Sequence, residues 1–240
     1  MLIKTKAVVL SVVKYQEKSL IVTCFTQLSG VKSYYIRNAF SKGKGAQNNA
    51  YFRPLTLLEV EAQHKNKGGL EYIKELKLAY PYQTIYNDFY KNSMGTFVSE
   101  MLYNLIKEQE PNEPLFEYLE TALLWFDHQE EASNFHLIVL LGVTKYLGFY
   151  PDSADIELPY FNPVAGHFNA LFEKGSFESE ETHLFKRLLE HNFQSDQKIF
   201  NGKERNELLG LLLRYYELHL SGFRKPKSLA VLKEIFADFK

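Results

Sequence analysis

The chain has 240 residues, of which 45% are hydrophobic and 24% charged, a composition typical of a folded protein that excludes global disorder. The longest apolar run, residues 137–143, falls far short of the roughly 20 residues that span a bilayer, and lysines interrupt the first residues where a signal peptide would be apolar, so we expect a cytoplasmic protein. The net charge of −1 divides unevenly, with +8 over residues 1–80, −13 over residues 81–181 and +4 over residues 182–240.

Short runs of β-branched and aromatic residues between positions 3 and 77 predict an all-β domain. Gly30 and Gly69 supply turns between these runs. Five short antiparallel strands are too few for an immunoglobulin sandwich and favour a small closed barrel, an OB-fold, with an SH3-like barrel as the alternative. The predicted strands cover residues 7–13, 20–25, 31–36, 55–61 and 70–78.

After Pro81 the apolar residues recur three and four positions apart, which predicts helices. Asn112, two residues before Pro114, predicts the N-cap of the second helix. The fold class is therefore α+β with two domains, a five-stranded OB-fold barrel over residues 1–80 and an all-α helical domain over residues 81–240. The predicted helices cover residues 89–106, 113–126, 135–147, 183–193, 204–220 and 228–239, and residues 151–175 are expected to be irregular.

The connection between the third and fourth predicted strands, residues 38–49, is polar, glycine-rich and basic. Lys and Arg gain affinity for a polyanion by releasing counterions from its phosphates, so the basic first module is predicted to bind nucleic acid. A protein whose charges segregate without such a partner is the alternative. The candidate DNA-binding residues in this module are Lys32, Arg37, Lys42, Lys44 and Arg53.

Aromatic residues on and near the third strand are candidates for stacking against bases. Tyr34 and Tyr35 must point to opposite faces of a strand, so at most one of them can stack, and a core position is favoured for these aromatics. Phe40 within the basic loop, and Tyr51 and Phe52 after it, are weighed in the same way.

A second basic set lies in the last third of the chain. It has two interpretations: it extends a nucleic-acid path, or its cations complement helix C-terminal dipoles. Its candidate DNA-binding members are Lys203, Arg205, Arg224, Lys225 and Lys227.

The residues predict no catalytic site and no cofactor. The glycine–lysine stretches do not fit a P-loop, and no Gly-x-Ser-x-Gly or paired-histidine zinc motif occurs. A nuclease would need clustered carboxylates or a histidine base, and residues 1–80 contain no Asp. The single cysteine, Cys24, can form neither an internal disulfide nor a multi-cysteine zinc site, and we expect it in the core.

An ordered set of segments resembles the RecO family of bacterial DNA repair proteins along essentially the whole chain. No single segment is decisive, and the order and spacing carry the resemblance. The segments are TKAVVL at 5–10, YQEKSL at 15–20, Phe25-Thr26 with Gly30, the basic loop through Lys44, PLTLL at 54–58, FVSEML at 97–102, LFEYL at 115–119, residues 140–148 and residues 221–229.

The resemblance implies an OB-fold followed by a helical domain, and a non-enzymatic mediator of recombinational repair. Members of the family bind single- and double-stranded DNA and anneal complementary strands. They engage the acidic C-terminal tail of the single-stranded DNA-binding protein and act with RecR to load RecA. The resemblance therefore implies a nucleoid-associated protein that needs neither ATP nor metal, and a protein-interaction adaptor that does not itself bind DNA is the rival hypothesis.

The chain departs from the family in one segment. Many RecO relatives carry a four-cysteine zinc site before the later helices, whereas residues 150–168 of this chain contain no cysteine. We therefore expect no zinc. We expect packing to hold this segment instead, through Tyr160, Phe161 and Phe168.

Overall fold

The computed structural model describes residues 2–40, 50–65, 69–194 and 199–237. The chain divides into two compact units, Met1–Asp127 and His128–Lys240. We call them the first and second units and describe each by itself. Within the described residues, no helix is long and apolar enough to cross a membrane.

The first unit contains a five-stranded antiparallel sheet in the order β3-β2-β1-β4-β5. A long first strand occupies the centre because its two halves pair with different neighbours, residues 7–15 with β2 and residues 2–8 with β4. A register shift between Val9 and Ser11 lies where the two pairings meet. The strands are β1 (Leu2–Tyr15), β2 (Ser19–Thr26), β3 (Gly30–Ile36), β4 (Leu57–Gln63) and β5 (Tyr72–Leu78).

The sheet closes between its two edge strands. The Glu71 amide donates to the Ser33 carbonyl at 2.8 Å and the Tyr35 amide donates to the Glu71 carbonyl at 2.9 Å, in a parallel bridge. The alternate side chains that point inward form one core, which includes Val9, Cys24 and Tyr34. This closed sheet confirms the predicted five-stranded OB-fold. The fourth strand starts two residues later than predicted because residues 53–56 form a turn in which Leu55 has a φ of +65°.

In the described part of the chain, two helices follow the sheet, α1 (Phe89–Leu105) and α2 (Glu113–His128), and all but the last residue of α2 belong to the first unit. The Ser99 hydroxyl on α1 donates to the Leu10 carbonyl of β1 at 2.8 Å, and Lys6 of β1 forms an ion pair with Glu120 of α2 at 2.7 Å. As predicted, Asn112 caps α2, since its side chain accepts from the Leu115 amide at 3.1 Å. These contacts explain why the compact unit extends beyond residue 80, where strands give way to helices; the predicted domain boundary there stays a prediction.

The Asp127 carboxylate fastens the connection between β5 and α1 to the end of α2. It accepts from the amides of Gln83 and Thr84 at 2.8 Å each and from the amide of Ile85 at 3.1 Å. Asp127 is only 1% exposed. A single buried carboxylate therefore holds three consecutive backbone amides.

Among its described residues, the second unit contains four helices and one short hairpin. Residues 151–175, predicted to be irregular, include this hairpin, which pairs Tyr160 with Asn169. The fourth helix begins four residues before the predicted start because Glu178 and Glu181 form a capping box there. The elements are α3 (Phe135–Tyr146), β6 (Tyr160–Asn162), β7 (His167–Asn169), α4 (Ser179–Glu190), α5 (Gly202–His219) and α6 (Leu229–Ala237).

Aromatic rings form the core around the hairpin. The Phe161 ring lies 5.0 Å from Phe168, 5.4 Å from Phe177 and 4.8 Å from Phe185, centroid to centroid. Phe161 is completely buried and Phe168 is 2% exposed. Packing therefore holds the segment through two of the three side chains named from the sequence, while Tyr160 is half-buried against Phe172.

Candidate nucleic-acid interface

Three tyrosines from three strand ends meet on the outside of the barrel. The Tyr35 ring centroid lies 6.0 Å from that of Tyr15 and 6.1 Å from that of Tyr72, with interplanar angles of 86° and 79°. Tyr15 is 43% exposed and Tyr72 is 52% exposed. We call Tyr15, Tyr35 and Tyr72 the tyrosine cluster. It presents aromatic surface to solvent at one end of the sheet.

The alternation of β3 separates its two tyrosines. Tyr34 points inward, is fully buried and makes a 2.9 Å hydrogen bond from its hydroxyl to His64 Nε2. Tyr35 points outward, and its hydroxyl is hydrogen-bonded to the Ser19 hydroxyl at 2.9 Å. The predicted division of the two tyrosines between opposite faces is confirmed, with Tyr34 in the core.

Cations surround the tyrosine cluster. Arg37 and Lys18 are exposed and line a hollow of about 450 Å³ whose wall includes Tyr35. The Lys65 ammonium lies 5.7 Å from the centroid of the Tyr72 ring. Glu17 also lines the hollow, so the cations outnumber the anions there. Exposed rings beside exposed cations are the combination that binds single-stranded nucleic acid.

Lys14, which precedes Tyr15 in the chain, pairs with the Phe40 ring in a similar way. The Lys14 ammonium lies 5.8 Å from the centroid of the Phe40 ring, and Phe40 is 46% exposed. Phe40 belongs to the basic loop and is its last described residue before position 50.

The structure separates the candidate residues of the first unit. Arg37 lies in the hollow beside Tyr35, whereas Lys32 is 8% exposed and shares the inward face of Tyr34. The Arg53 guanidinium stacks on the Tyr86 ring, 3.7 Å from its centroid. Lys42 and Lys44 lie outside the described residues.

The candidates in the second unit also have different environments. Arg205 is 6% exposed and donates to the Phe200 carbonyl at 2.6 Å, so its guanidinium is part of the core. The Lys225 ammonium forms an ion pair with Glu217 at 2.9 Å. Three others are exposed, Lys203 in the first turn of α5 and Arg224 and Lys227 in the connection after it.

The sequence prediction missed Tyr15, Tyr72, Lys18 and Lys65. The aromatic and basic pattern pointed to the third strand and its loop, whereas these residues come from β1, β5 and the connections between strands. Tyr15 could have been predicted, because it shares one face of β1 with Val13, two residues before it, and both are exposed. Tyr72 was not, because its meeting with Tyr35 depends on how the barrel closes.

The interior of the barrel favours neutral groups. Burial raises the pKa of the Cys24 thiol to about 12, so this thiol stays protonated and is a poor nucleophile. Burial also raises the pKa of the Tyr34 hydroxyl and lowers that of His64. Among the residues that the structure describes, no three His, Cys, Asp or Glu side chains are grouped as metal ligands.

Comparison with known proteins decides the family. The family description "Recombination protein O N terminal" matches residues 1–82, and "Recombination protein O C terminal" matches residues 86–230. The chain belongs to the RecO family.

Full-length relatives in this family include two Flavobacterium proteins and one from Bacteroides. The chain is 55% identical to the DNA repair protein RecO of Flavobacterium johnsoniae over 237 residues and 52% identical to that of Flavobacterium psychrophilum over 238 residues, with 99% of this chain and 100% of each relative covered. It is 35% identical to the DNA repair protein RecO of Bacteroides fragilis over 242 residues, which cover 98% of this chain and all of that relative. RecO membership confirms the resemblance and makes the chain a DNA repair protein.

Proposed function

We propose that this RecO-family protein is a mediator that holds DNA strands together without catalysis. It binds single- and double-stranded DNA and anneals complementary strands coated by the single-stranded DNA-binding protein. It engages the C-terminal tail of that protein and, with RecR, helps to load RecA. It acts in the cytoplasm at the nucleoid and uses neither cofactor nor metal.

The observation that carries this proposal is the outer face of the barrel at the tyrosine cluster. Exposed Arg37 and Lys18 line one hollow with Tyr35, in a segment, residues 1–80, of net charge +8. Phosphate contacts from such cations release counterions and need no sequence readout. A barrel that neutralises phosphates in this way lowers the repulsion between two strands, which is the physical requirement for annealing.

The candidate residues are proposed for different roles. Arg37, Lys42 and Lys44 are proposed as principal phosphate contacts, because they belong to the basic stretch that resembles the family. Arg53, Lys203, Arg224, Lys225 and Lys227 are proposed as additional contacts. Lys32 and Arg205 were named from charge, and we propose structural roles for them, because both side chains are buried.

The test of DNA binding compares two variants of equal charge change. Arg37→Gln removes a cation from the hollow. Lys77→Gln removes a cation of β5 that forms an ion pair with Glu59 of β4 at 2.8 Å. Affinity for a single-stranded oligonucleotide is measured against salt concentration. We expect Arg37→Gln to reduce the salt slope by about one, with no such change for Lys77→Gln. Equal slopes for the wild type and both variants would refute the assigned interface.

The test of mediation is annealing. Complementary oligonucleotides coated with the cognate single-stranded DNA-binding protein are mixed with this protein in the presence of a chelator and without nucleotide. We expect acceleration, and a smaller acceleration with Arg37→Gln than with Lys77→Gln. No acceleration together with intact binding to the coating protein would favour the adaptor hypothesis.

A further inference from the structure

We propose that the tyrosine cluster is a stacking site for unpaired bases, so that the barrel distinguishes single-stranded from double-stranded DNA. This inference rests on the proposed function, because it assigns a base-contacting role within the same interface. The phosphate contacts described above bind either form of DNA. The tyrosine cluster would add a stacking contribution to the binding free energy that is available only to unpaired bases.

The arrangement of the rings supports a built platform. Tyr35 lies between the other two rings, nearly perpendicular to both, and its hydroxyl is fixed by the hydrogen bond to Ser19. Edge-to-face packing of this kind fixes ring orientation. Tyr15 and Tyr72 are therefore braced through one shared neighbour while about half of each side chain stays exposed.

The exposed rings of Tyr15 and Tyr72 are not part of the barrel core. Tyrosines that serve the barrel core are buried, as Tyr34 is. Tyr15 is instead the last residue of β1 and Tyr72 the first of β5. Both rings contact Tyr35, which lines the hollow together with Arg37 and Lys18. A strand whose phosphates contact the hollow has bases within reach of the cluster.

Unpaired bases are the chemical class that fits. Every base has a flat π-face and stacks on an aromatic ring without sequence readout. In a duplex these faces are covered by neighbouring base pairs, and exposing one requires unstacking. Lys65, over the Tyr72 ring at 5.7 Å, is an exposed lysine on a flexible stem, so its ammonium can turn to a phosphate when a base occupies the ring.

The test uses the full chain and a single-stranded oligonucleotide that contains 2-aminopurine, whose fluorescence falls on stacking. Tyr15→Leu and Tyr72→Leu remove a ring but keep apolar bulk, and Tyr72→Phe keeps the ring. Tyr103→Leu is the matched control, because Tyr103 is 39% exposed and lies under Lys107 at 4.7 Å without belonging to the cluster. Circular dichroism verifies the fold of each variant.

We expect the wild type to quench 2-aminopurine in the single strand and not in the duplex. Each Leu variant should lower the affinity for the single strand about fivefold or more, the effect of losing one stacked base. Duplex affinity and the salt slope should stay unchanged, because no phosphate contact is lost. Tyr72→Phe should recover most of the loss, and Tyr103→Leu should behave as the wild type.

Two results separate the inference from the proposed function. If the wild type binds the oligonucleotide without quenching, or if Tyr72→Leu weakens single strand and duplex equally, the stacking site is refuted while DNA binding stands. If the wild type binds neither form of DNA, the proposed function fails and the stacking site fails with it.

Discussion

Asp127 offers a direct test of how the first unit holds together. The change to Ala removes both carboxylate oxygens and leaves the amides of Gln83, Thr84 and Ile85 without their shared acceptor. The site is 1% exposed, so water cannot replace the carboxylate without opening the structure. The connection between β5 and α1 should therefore loosen.

The magnitude follows from the number of donors. A hydrogen bond to a charged group contributes about 1.5–3 kcal/mol, and the three bonds are not additive because they share one carboxylate. We expect Asp127→Ala to lower the free energy of unfolding by about 3–5 kcal/mol. Asp127→Asn keeps one oxygen acceptor and should cost about 2 kcal/mol.

The assay is urea denaturation followed by the fluorescence of Trp125, the single tryptophan, which lies on α2 in the same unit. Asp88→Ala is the control. Within the described residues, the Asp88 carboxylate accepts a hydrogen bond only from the Lys91 amide, as the N-cap of α1, and its loss should cost about 1 kcal/mol. If Asp127→Ala costs no more than Asp88→Ala, the three-amide anchor does not stabilise the unit as argued.

The pH dependence of the Asp127 contribution to stability has a defined sign. Burial raises the pKa of the Asp127 carboxyl, but the hydrogen bonds from Gln83, Thr84 and Ile85 outweigh it, so the pKa lies below its ordinary value of 3.8. The stabilisation is therefore present above about pH 4 and is lost as the pH falls through the folded pKa. The stability difference between the wild type and Asp127→Asn should be constant near neutral pH and should shrink below about pH 4.

Three further predictions concern other parts of the fold. Gly30→Ala should lower the free energy of unfolding by at least about 2 kcal/mol, because φ at Gly30 is +63° and the new Cβ would lie 2.4 Å from the Glu110 carbonyl oxygen. Gly69→Ala is the control, since a Cβ at Gly69 would meet nothing within 4 Å. Equal urea midpoints for the two variants would contradict this prediction. Phe161→Ala should cost about 3–5 kcal/mol and speed hydrogen exchange in the hairpin, and unchanged exchange would exclude the aromatic core as its support. Burial lowers the pKa of His136 to about 3, so the stability of the second unit should fall by about 1.4 kcal/mol per pH unit below pH 6.5, a slope that His136→Gln should remove.

The barrel and most helices could be predicted because each has a periodic pattern and a local boundary signal. The strands of the first unit alternate, and Asn112 marks the start of α2 by its own chemistry. The hairpin of Tyr160–Asn162 and His167–Asn169 escaped, because three-residue strands are too short to show a period. It forms because Phe161 and Phe168 enter a core built mainly by residues far along the chain.

The candidate site was predicted less completely than the fold. The distribution of charge along the sequence predicted the basic module. The alternation of side chains along the third strand predicted that Tyr34 and Tyr35 lie on opposite faces. Alternation also places Lys32 on the inward face with Tyr34, which charge alone did not reveal. The tyrosine cluster was missed as a whole, because the contact of Tyr72 with Tyr35 comes from barrel closure and has no local signal in the sequence.

The core and the proposed binding face are two sides of the same strand. On β3, Tyr34 packs inside and Tyr35 lies outside, so a register slip of one residue would bury the outer ring and expose the core ring. The turn at Gly30 helps to set this register, because the Val31 amide donates to the Glu108 carbonyl at 3.0 Å and a side chain at Gly30 would collide with that segment. Gly30→Ala should therefore weaken single-strand binding as well as stability, whereas Tyr72→Leu should weaken binding alone. A Gly30→Ala protein that is destabilised but stacks 2-aminopurine as the wild type does would show that the register of β3 is set elsewhere.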